Sequence, residues 1–215
     1  MNKIVMPLPK PLFRDTASTT IPIEFTGAMV HLEAKAYEDA AHGYQAIALI
    51  HRTPEASAVT VPMVRMHSGC ITGDIFRSLR CDCHEQLQKA LAQVTASAFG
   101  IIVYLPHHEG RGIGLVNKIK AYAEQDRGLD TVDANLSIGS PIDARDYEFA
   151  ANILKDLGCE KVRLITNNPL KVAALNSFGV EGVEQVEAVT SASDYNARYL
   201  KTKKDRLDHI DTERL

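Results

Sequence analysis

Three of the four cysteines in this 215-residue chain lie in one short window. Cys70, Cys81 and Cys83 follow the spacing C-x10-C-x-C, and Cys159 lies far downstream. Cys81 and Cys83 are separated by one residue, which is too close for an easy disulfide between them. Thiolate is a strong zinc ligand, and three thiolates provide most of a tetrahedral site. The spacing therefore predicts a metal site.

The type of metal site depends on the fourth position. A catalytic zinc keeps that position for water and lowers the pKa of the water toward about 7. A structural zinc takes a fourth protein ligand, for which His84 and His67 are the candidates. His84 follows Cys83 directly, so its side chain points away from that of Cys83 if the segment is extended. A catalytic zinc is the favoured interpretation; a structural zinc and a cluster of buried reduced thiols are the alternatives.

A glycine-rich motif, EGRGIG, follows an apolar run. Its glycines let backbone N–H groups approach an anion, and Arg111 offers a guanidinium fork for phosphate. The same residues also suit an ordinary tight turn. The later motif TNNPLK, which ends at Lys171, follows a second apolar run and precedes a helical pattern, where layered α/β folds bind ligands.

The motif DARD supplies another pair of charges. Asp143 suits a helix N-cap, and Arg145 suits a surface position. Taken with the cysteines and the two motifs above, these residues predict a zinc hydrolase that acts on a phosphorylated small molecule. The residue types alone do not identify the base or the sugar.

The elements that position these residues are predicted from hydrophobic periodicity. Three alternating runs between Phe25 and Ser68 predict an antiparallel meander. After Cys83, amphipathic helical patterns alternate with the buried-strand runs FGIIVYLP and KVRLITNNP. The predicted fold is therefore α/β, with antiparallel N-terminal strands joined to a layered α/β domain. The predicted organisation is a flexible arm over 1–22, a catalytic domain over 23–195 and a charged helix or tail over 196–215.

Composition limits the classes of partner. A net charge of -3 and a pI near 6.2 give no general attraction to nucleic acid or to an anionic membrane, so we expect neither as a partner. No apolar run approaches the roughly 20 residues that span a bilayer. The N-terminal residues lack the apolar core of a secretory signal. These features predict a cytoplasmic protein.

The motifs in this order resemble the GTP cyclohydrolase II family. The resemblance covers about Val64 to Val186 and extends more weakly to YLKTKK and His209 near the C-terminus. No second domain for dihydroxybutanone phosphate synthesis is present, so the stand-alone form is expected. The matching stretches are VRMHSGCITGD, SLRCDC, HEGRGIGLVNKIKAYAEQDRGLDTVDAN, DARDY and LITNNPLK.

The resemblance implies an α/β homodimer that binds one zinc through the three cysteines and uses magnesium with the triphosphate of GTP. It implies removal of pyrophosphate, opening of the imidazole ring and release of C8 as formate. Arg145 matches the proposed nucleophile toward the α-phosphate, Asp143 the general base and Tyr122 a tyrosine of ring opening. Since the pKa of arginine exceeds about 12, stabilisation of phosphate charge is a second role for Arg145. Nucleotide contacts are implied for Arg65, Met66, His67, Ser68, Gly69, Gln86, Glu109, Gly110, Arg111, Thr131, Thr166 and Lys171.

The chain departs from the family pattern at two places. Gly69 stands where members usually have glutamate. In members, an arginine and then a glycine or glutamine usually lie just after the tyrosine of the preceding strand; here Pro106 and His107 take their places. Two other hypotheses follow. One is a divergent homologue that stops at a formamidopyrimidine product or acts on another nucleotide or pyrimidine intermediate. The other is a non-catalytic nucleotide-binding protein with structural zinc.

Overall fold

The structure is a computed structural model that describes residues 12–181, 183–188 and 206. Its described part contains one seven-stranded sheet with helices on both faces. The strands are β1 (Phe13–Phe25), β2 (Ala28–Asp39), β3 (Gln45–Arg52), β4 (Met63–Ser68), β5 (Phe99–Leu105), β6 (Val162–Ile165) and β7 (Val183–Val186). The α-helices are α1 (Cys83–Ala96), α2 (Gly114–Asp126), α3 (Thr131–Ser137), α4 (Glu148–Asp156) and α5 (Pro169–Ser177).

The strand order is β1-β2-β3-β5-β4-β6-β7. The pairs β1–β2, β2–β3 and β3–β5 are antiparallel, whereas β5–β4, β4–β6 and β6–β7 are parallel. Parallel strands need crossover connections, and α1 and α5 provide two of them. The carboxyl ends of β4, β5 and β6 therefore meet at one edge of the sheet, where loops that carry function are expected.

Local sequence explains several boundaries. Thr26 and Gly27 both have positive φ, 51° and 77°, as a two-residue type I′ hairpin between β1 and β2 requires. Asn168 caps α5 by accepting a hydrogen bond from the Leu170 N–H, and Pro169 occupies the first turn, where no backbone donor is needed.

The core has two parts, one on each face of the sheet. On one face, α4 contributes Phe149 and Ile153 to a cluster with Met66 and Val103. On the other face, α1 packs Leu91, Val94 and Ala90 against Leu32, Ile102 and Ile165. Both faces of β5 are therefore buried, which explains its unbroken apolar sequence.

The structure corrects three predictions and adds one helix. The flexible arm predicted over 1–22 is wrong for residues 13–22, because these residues pair with β2 along its length. The meander is correct for β2 and β3, but β4 is parallel to both of its neighbours. Helix α4 begins at Glu148 after the N-cap Tyr147, so Asp143 is not its cap. Helix α3 was not predicted. Of the tail predicted over 196–215, only Arg206 lies within the described residues, and His209 lies outside them.

Among the described helices, none combines the length and the apolar character that crossing a bilayer requires.

Candidate active site

The three predicted cysteines come together directly after β4. Their sulfur atoms all lie within 4.8 Å of one another, and the Cys70 and Cys81 sulfurs are 3.7 Å apart. A Zn–S distance of about 2.3 Å in tetrahedral geometry places two sulfurs roughly 3.8 Å apart. The Cys70–Cys81 distance matches this value, so the cluster is suited to a zinc ion.

A tight π-helical turn, Ile71–Ile75, shapes this cluster. Cys70 caps the turn, and its sulfur accepts a hydrogen bond from the Gly73 N–H at 3.3 Å. A β-carbon on Gly73 would lie 2.8 Å from the Cys81 sulfur and 3.0 Å from the Cys70 sulfur. Only glycine leaves the space between the three thiols open.

The fourth position of the metal site is not filled by either predicted histidine. Within the described residues, the group that could hold a metal consists of the three cysteines alone. His67 instead directs Nε2 to the carboxylate of Asp74, 3.1 Å away. Catalytic zinc sites commonly have three protein ligands, and the three cysteines could provide such a set.

The three thiols share a hydrogen-bonded network. Hydrogen bonds from Cys81 and Cys83 hold the pKa of Cys70 well below its usual range, and Lys118 adds to this effect. The hydrogen bond to Cys70 raises the pKa of Cys81 to about 11. Zinc binding must therefore displace protons from this cluster, as it does for thiol sites generally.

Asp74 fixes the segment around the first cysteine. Its Oδ2 accepts hydrogen bonds from the Cys70 N–H and the Tyr104 hydroxyl, each at 2.9 Å. The ring of His67 stacks on that of Tyr104, with centroids 5.4 Å apart. This network, which the sequence analysis did not identify, orients a candidate metal ligand from the second layer of residues.

Asp143 and Arg145 form an ion pair beside the end of β4. Arg145 Nε donates to both carboxylate oxygens of Asp143, at 2.9 and 3.1 Å, and Nη2 donates to Oδ2. Arg145 Nη1 donates to Ser68 Oγ at 3.3 Å. All three guanidinium nitrogens therefore have acceptors, and the side chain is held in place before any ligand binds.

Charge stabilises Asp143 in its ionised form. Burial raises the pKa of this carboxyl group, but the hydrogen bonds and positive charge of Arg145 outweigh burial, so the pKa is lowered. The pair therefore persists throughout the neutral pH range. A carboxylate with a lowered pKa is a weak proton acceptor, which favours a role for Asp143 in positioning Arg145.

His108 continues the network from Ser68. Its Nε2 lies 2.8 Å from the backbone oxygen of Asp146, so Nε2 carries the proton. Nδ1 must then accept a hydrogen bond from the Ser68 hydroxyl, whose oxygen is 3.3 Å away. The Ser68 oxygen thus uses its proton on His108, and its lone pairs are free to accept from Arg145. Burial lowers the pKa of His108 to about 3, which keeps the ring neutral.

We expect this buried histidine to make stability depend on pH. Between about pH 6.5 and pH 5 the unfolded chain takes up a proton at position 108 and the folded chain does not. The free energy of unfolding should therefore fall as the pH falls, by up to about 1.4 kcal/mol per pH unit. Urea unfolding at several pH values should show a shallower slope in His108→Gln. His31→Gln, on the exposed surface of β2, controls for loss of a histidine; an unchanged slope in His108→Gln would contradict the expectation.

Further positive charge surrounds Tyr147. Its ring lies 5.7 Å from the Arg145 guanidinium and 5.8 Å from Lys171 Nζ. Lys171, which is buried, donates to the Met66 carbonyl oxygen at 2.9 Å. Arg65, also buried, donates to the Ile165 carbonyl oxygen at 2.9 Å and to Gln86. Buried cations concentrated in one place suit a phosphorylated ligand.

The EGR motif forms a loop that contacts both the thiol cluster and the segment that carries the ion pair of Asp143 and Arg145. Gly110, Arg111 and Gly112 all have positive φ, between 60° and 85°. The Arg111 carbonyl oxygen accepts from the Ala144 N–H at 2.9 Å, which ties this loop to the DARD loop. Glu109 is buried and bonds to Lys118 next to the thiols.

The other predicted residues have varied surroundings. The Met66 side chain is fully buried in the core, and Thr166 Oγ1 accepts from the Asn168 N–H at 3.0 Å. Tyr122 lies under the Arg80 guanidinium, 4.4 Å from its ring centroid. Thr131 is the first residue of α3, and the contacts described above do not join it to the other candidates.

The two departures from the family pattern are in contact. The Gly69 N–H donates to the Leu105 carbonyl oxygen at 2.9 Å. A β-carbon at Gly69 would lie 3.0 Å from the Pro106 α-carbon and 3.1 Å from the Leu105 oxygen. His107 stacks on Tyr44, with ring centroids 4.4 Å apart. The glycine and the proline therefore form one local arrangement.

Sequence reasoning did not assign roles to several residues that complete the site. Asp74 and Lys118 lie within recognisable motifs, but their side-chain contacts depend on the tertiary fold. His108 and Tyr147 adjoin EGR and DARD, and proximity to those motifs was the available signal. The buried Tyr147 hydroxyl has no hydrogen-bond partner among the described residues.

Comparison with known proteins identifies a family and several relatives of this chain. The family model described as GTP cyclohydrolase II matches residues 14–187. Riboflavin biosynthesis protein RibBA of Aquifex aeolicus is 53% identical over 148 residues, which cover 69% of this chain and 36% of that protein. The protein of the same name from Synechocystis is 48% identical over 186 residues, 86% of this chain and 33% of that one. The one from Mycobacterium tuberculosis is 49% identical over 176 residues, 80% and 40% respectively.

The chain thus spans between a third and two fifths of the length of these curated relatives. The matched region includes the three cysteines, the EGR loop and the ion pair of Asp143 and Arg145. The chain belongs to the GTP cyclohydrolase II family.

Proposed function

We propose that this chain hydrolyses GTP to the diamino-ribosylamino-pyrimidinone monophosphate, formate and pyrophosphate, which is the first step of riboflavin biosynthesis. One observation carries the proposal: Ser68 contacts Arg145, and Cys70, two residues later, joins the thiol cluster. Two residues span at most about 7 Å, so one nucleotide can reach both groups. The names of the relatives, which refer to riboflavin biosynthesis, support the same assignment.

In this proposal, Cys70, Cys81 and Cys83 hold the zinc. When bound, zinc supplies a hydroxide at neutral pH for attack on the purine C8, since coordination lowers the pKa of water toward about 7. Tyr122 is assigned to the ring-opening steps by the family resemblance.

Arg145 is proposed to stabilise negative charge on the α-phosphate as pyrophosphate leaves. Its guanidinium donates from all three nitrogens to Asp143 and Ser68, which supports a role as a fixed cation more than as a nucleophile. Arg65 and Lys171 add positive charge, and Gly110 to Gly112 provide a loop that can approach the nucleotide closely. Gln86, Thr131 and Thr166 are assigned as nucleotide contacts by resemblance alone.

A magnesium ion with the triphosphate, a homodimer and a cytoplasmic location are further proposals from the resemblance. Their support is the family resemblance and not the geometry of the site.

The test is incubation of the purified chain with GTP, magnesium and zinc. We expect formate and pyrophosphate in equal amounts and a pyrimidinone product by mass spectrometry. Replacement of Cys81 with serine should abolish formate release, since one metal ligand is lost. Absence of formate from the zinc-loaded wild-type chain at every pH tested would refute the proposal.

A second candidate function is supported by the contact of Gly69 with Pro106. A side chain at Gly69 would press on the Pro106 backbone, so this corner of the site differs from the usual family pattern. The candidate is a homologue that keeps the formyl group or takes another nucleotide. The mass of the product separates these cases, because incomplete turnover of GTP retains the formyl carbon.

A further inference from the structure

A buried ion pair lies against the thiol cluster. Lys118 Nζ is 2.7 Å from Glu109 Oε1 and 2.9 Å from the Cys70 sulfur. The side chains of Lys118 and Glu109 are only 9% and 8% exposed. Charged groups this deeply buried are costly unless each has a partner of opposite charge.

Both oxygens of Glu109 are engaged. While Oε1 accepts from Lys118, Oε2 accepts from the Ile71 N–H at 2.7 Å. Ile71 directly follows Cys70, whose own N–H donates to Asp74. Two carboxylates thus hold the backbone on either side of the first metal ligand. The Glu109 carboxylate therefore faces the thiol cluster.

The ammonium group of Lys118 has a specific electrostatic task. Three thiolates and one Zn²⁺ carry a net negative charge, which is unfavourable in a partly buried site. A cation that donates a hydrogen bond to one sulfur stabilises this anionic complex, and it also changes the energy of charge transfer from that sulfur to the metal. Glu109 keeps the ammonium group in the position where this hydrogen bond forms.

We propose that Lys118, held by Glu109, is a positioning residue for the Cys70 thiolate and determines how tightly the three-cysteine centre binds its metal. The proposal concerns metal binding alone and holds whatever substrate the site accepts.

The test measures zinc affinity by competition with a chromophoric chelator, using the full chain without nucleotide. Lys118→Gln should bind zinc about 10- to 100-fold more weakly than the wild type, the usual effect of losing a residue behind a metal ligand. Lys118→Arg should recover part of this affinity, because arginine restores the charge and a donor. The matched control is Lys120→Gln, at an exposed position of the same helix, which should bind zinc as the wild type does.

A double variant addresses the unpaired carboxylate that Lys118→Gln leaves behind. Lys118→Gln with Glu109→Gln removes both charges, so it keeps the test valid if the single variant fails to fold. In the cobalt-substituted protein, the sulfur-to-metal charge-transfer band should shift in the double variant and stay in place in Lys120→Gln. Zinc affinity within twofold of the wild type, or an unshifted band in a folded double variant, would overturn the proposal.

Discussion

Replacement of Gly73 with alanine should abolish binding of the proposed zinc ion, one per chain. The new β-carbon would lie 2.8 Å from the Cys81 sulfur, 3.0 Å from the Cys70 sulfur and 2.9 Å from the Cys83 β-carbon. These distances are shorter than contacts that packed atoms tolerate, so the three sulfurs must separate. We expect the zinc content to fall from one per chain to below about 0.1, because a tetrahedral site needs the sulfurs within reach of one ion. Elemental analysis of the purified protein measures this directly.

Ile75→Ala is the matched control for Gly73→Ala. Ile75 lies in the same π-helical turn, and its side chain is 66% exposed. The control should keep its zinc and its activity with GTP. A Gly73→Ala protein with a full complement of zinc would show that the turn can move away from the thiols.

Replacement of Arg145 with lysine should lower kcat with GTP by about 100-fold or more, the usual effect of removing a group that stabilises transition-state charge. Lysine keeps the positive charge but lacks the planar fork that reaches Asp143 and Ser68 from three separate nitrogens. The cation would no longer be fixed in place. Steady-state kinetics measure the loss, and the zinc content should be unchanged.

Arg163→Lys provides the comparison for Arg145→Lys. Arg163 lies on β6 and pairs with Glu184 at 3.4 Å on the surface, where an ion pair contributes little. Its replacement should leave kcat nearly unchanged. If Arg145→Lys stayed within tenfold of the wild-type kcat, the proposed role of the guanidinium would be wrong.

Several helices and buried strands of the α/β half were predictable because their local patterns are strong. Strand β5 is apolar along its length because both of its faces are buried. Helix α4 is amphipathic because one of its sides packs against the sheet. Strand β1 was missed because it lies at a sheet edge, where seven consecutive residues, Arg14–Thr20, are exposed. The parallel pairing of β4 could not be read locally, since its partners begin at Phe99 and Val162.

In the candidate site, too, local sequence features were predictable and contacts between distant residues were not. Cysteine spacing predicted the thiol cluster because all three cysteines lie within 14 residues of sequence, Cys70 to Cys83. The motif around Asp143 and Arg145 indicated charge, but their pairing with each other and with Ser68 required the fold. The contact of Lys118 with a thiolate joins residues 48 positions apart, and no local pattern indicates such a contact.

The strand order also has a consequence for how the site assembles during folding. Contacts of the cationic group join residues far apart in the chain: 77 positions for Arg145 with Ser68, 100 for Arg65 with Ile165 and 105 for Lys171 with Met66. Such non-local contacts form late and slowly, because closing a long loop costs entropy before the contact is gained. The cysteine turn can form earlier, from nearby residues. Loss of β6 through partial unfolding would therefore dismantle the cationic side of the candidate site first and leave the thiols gathered.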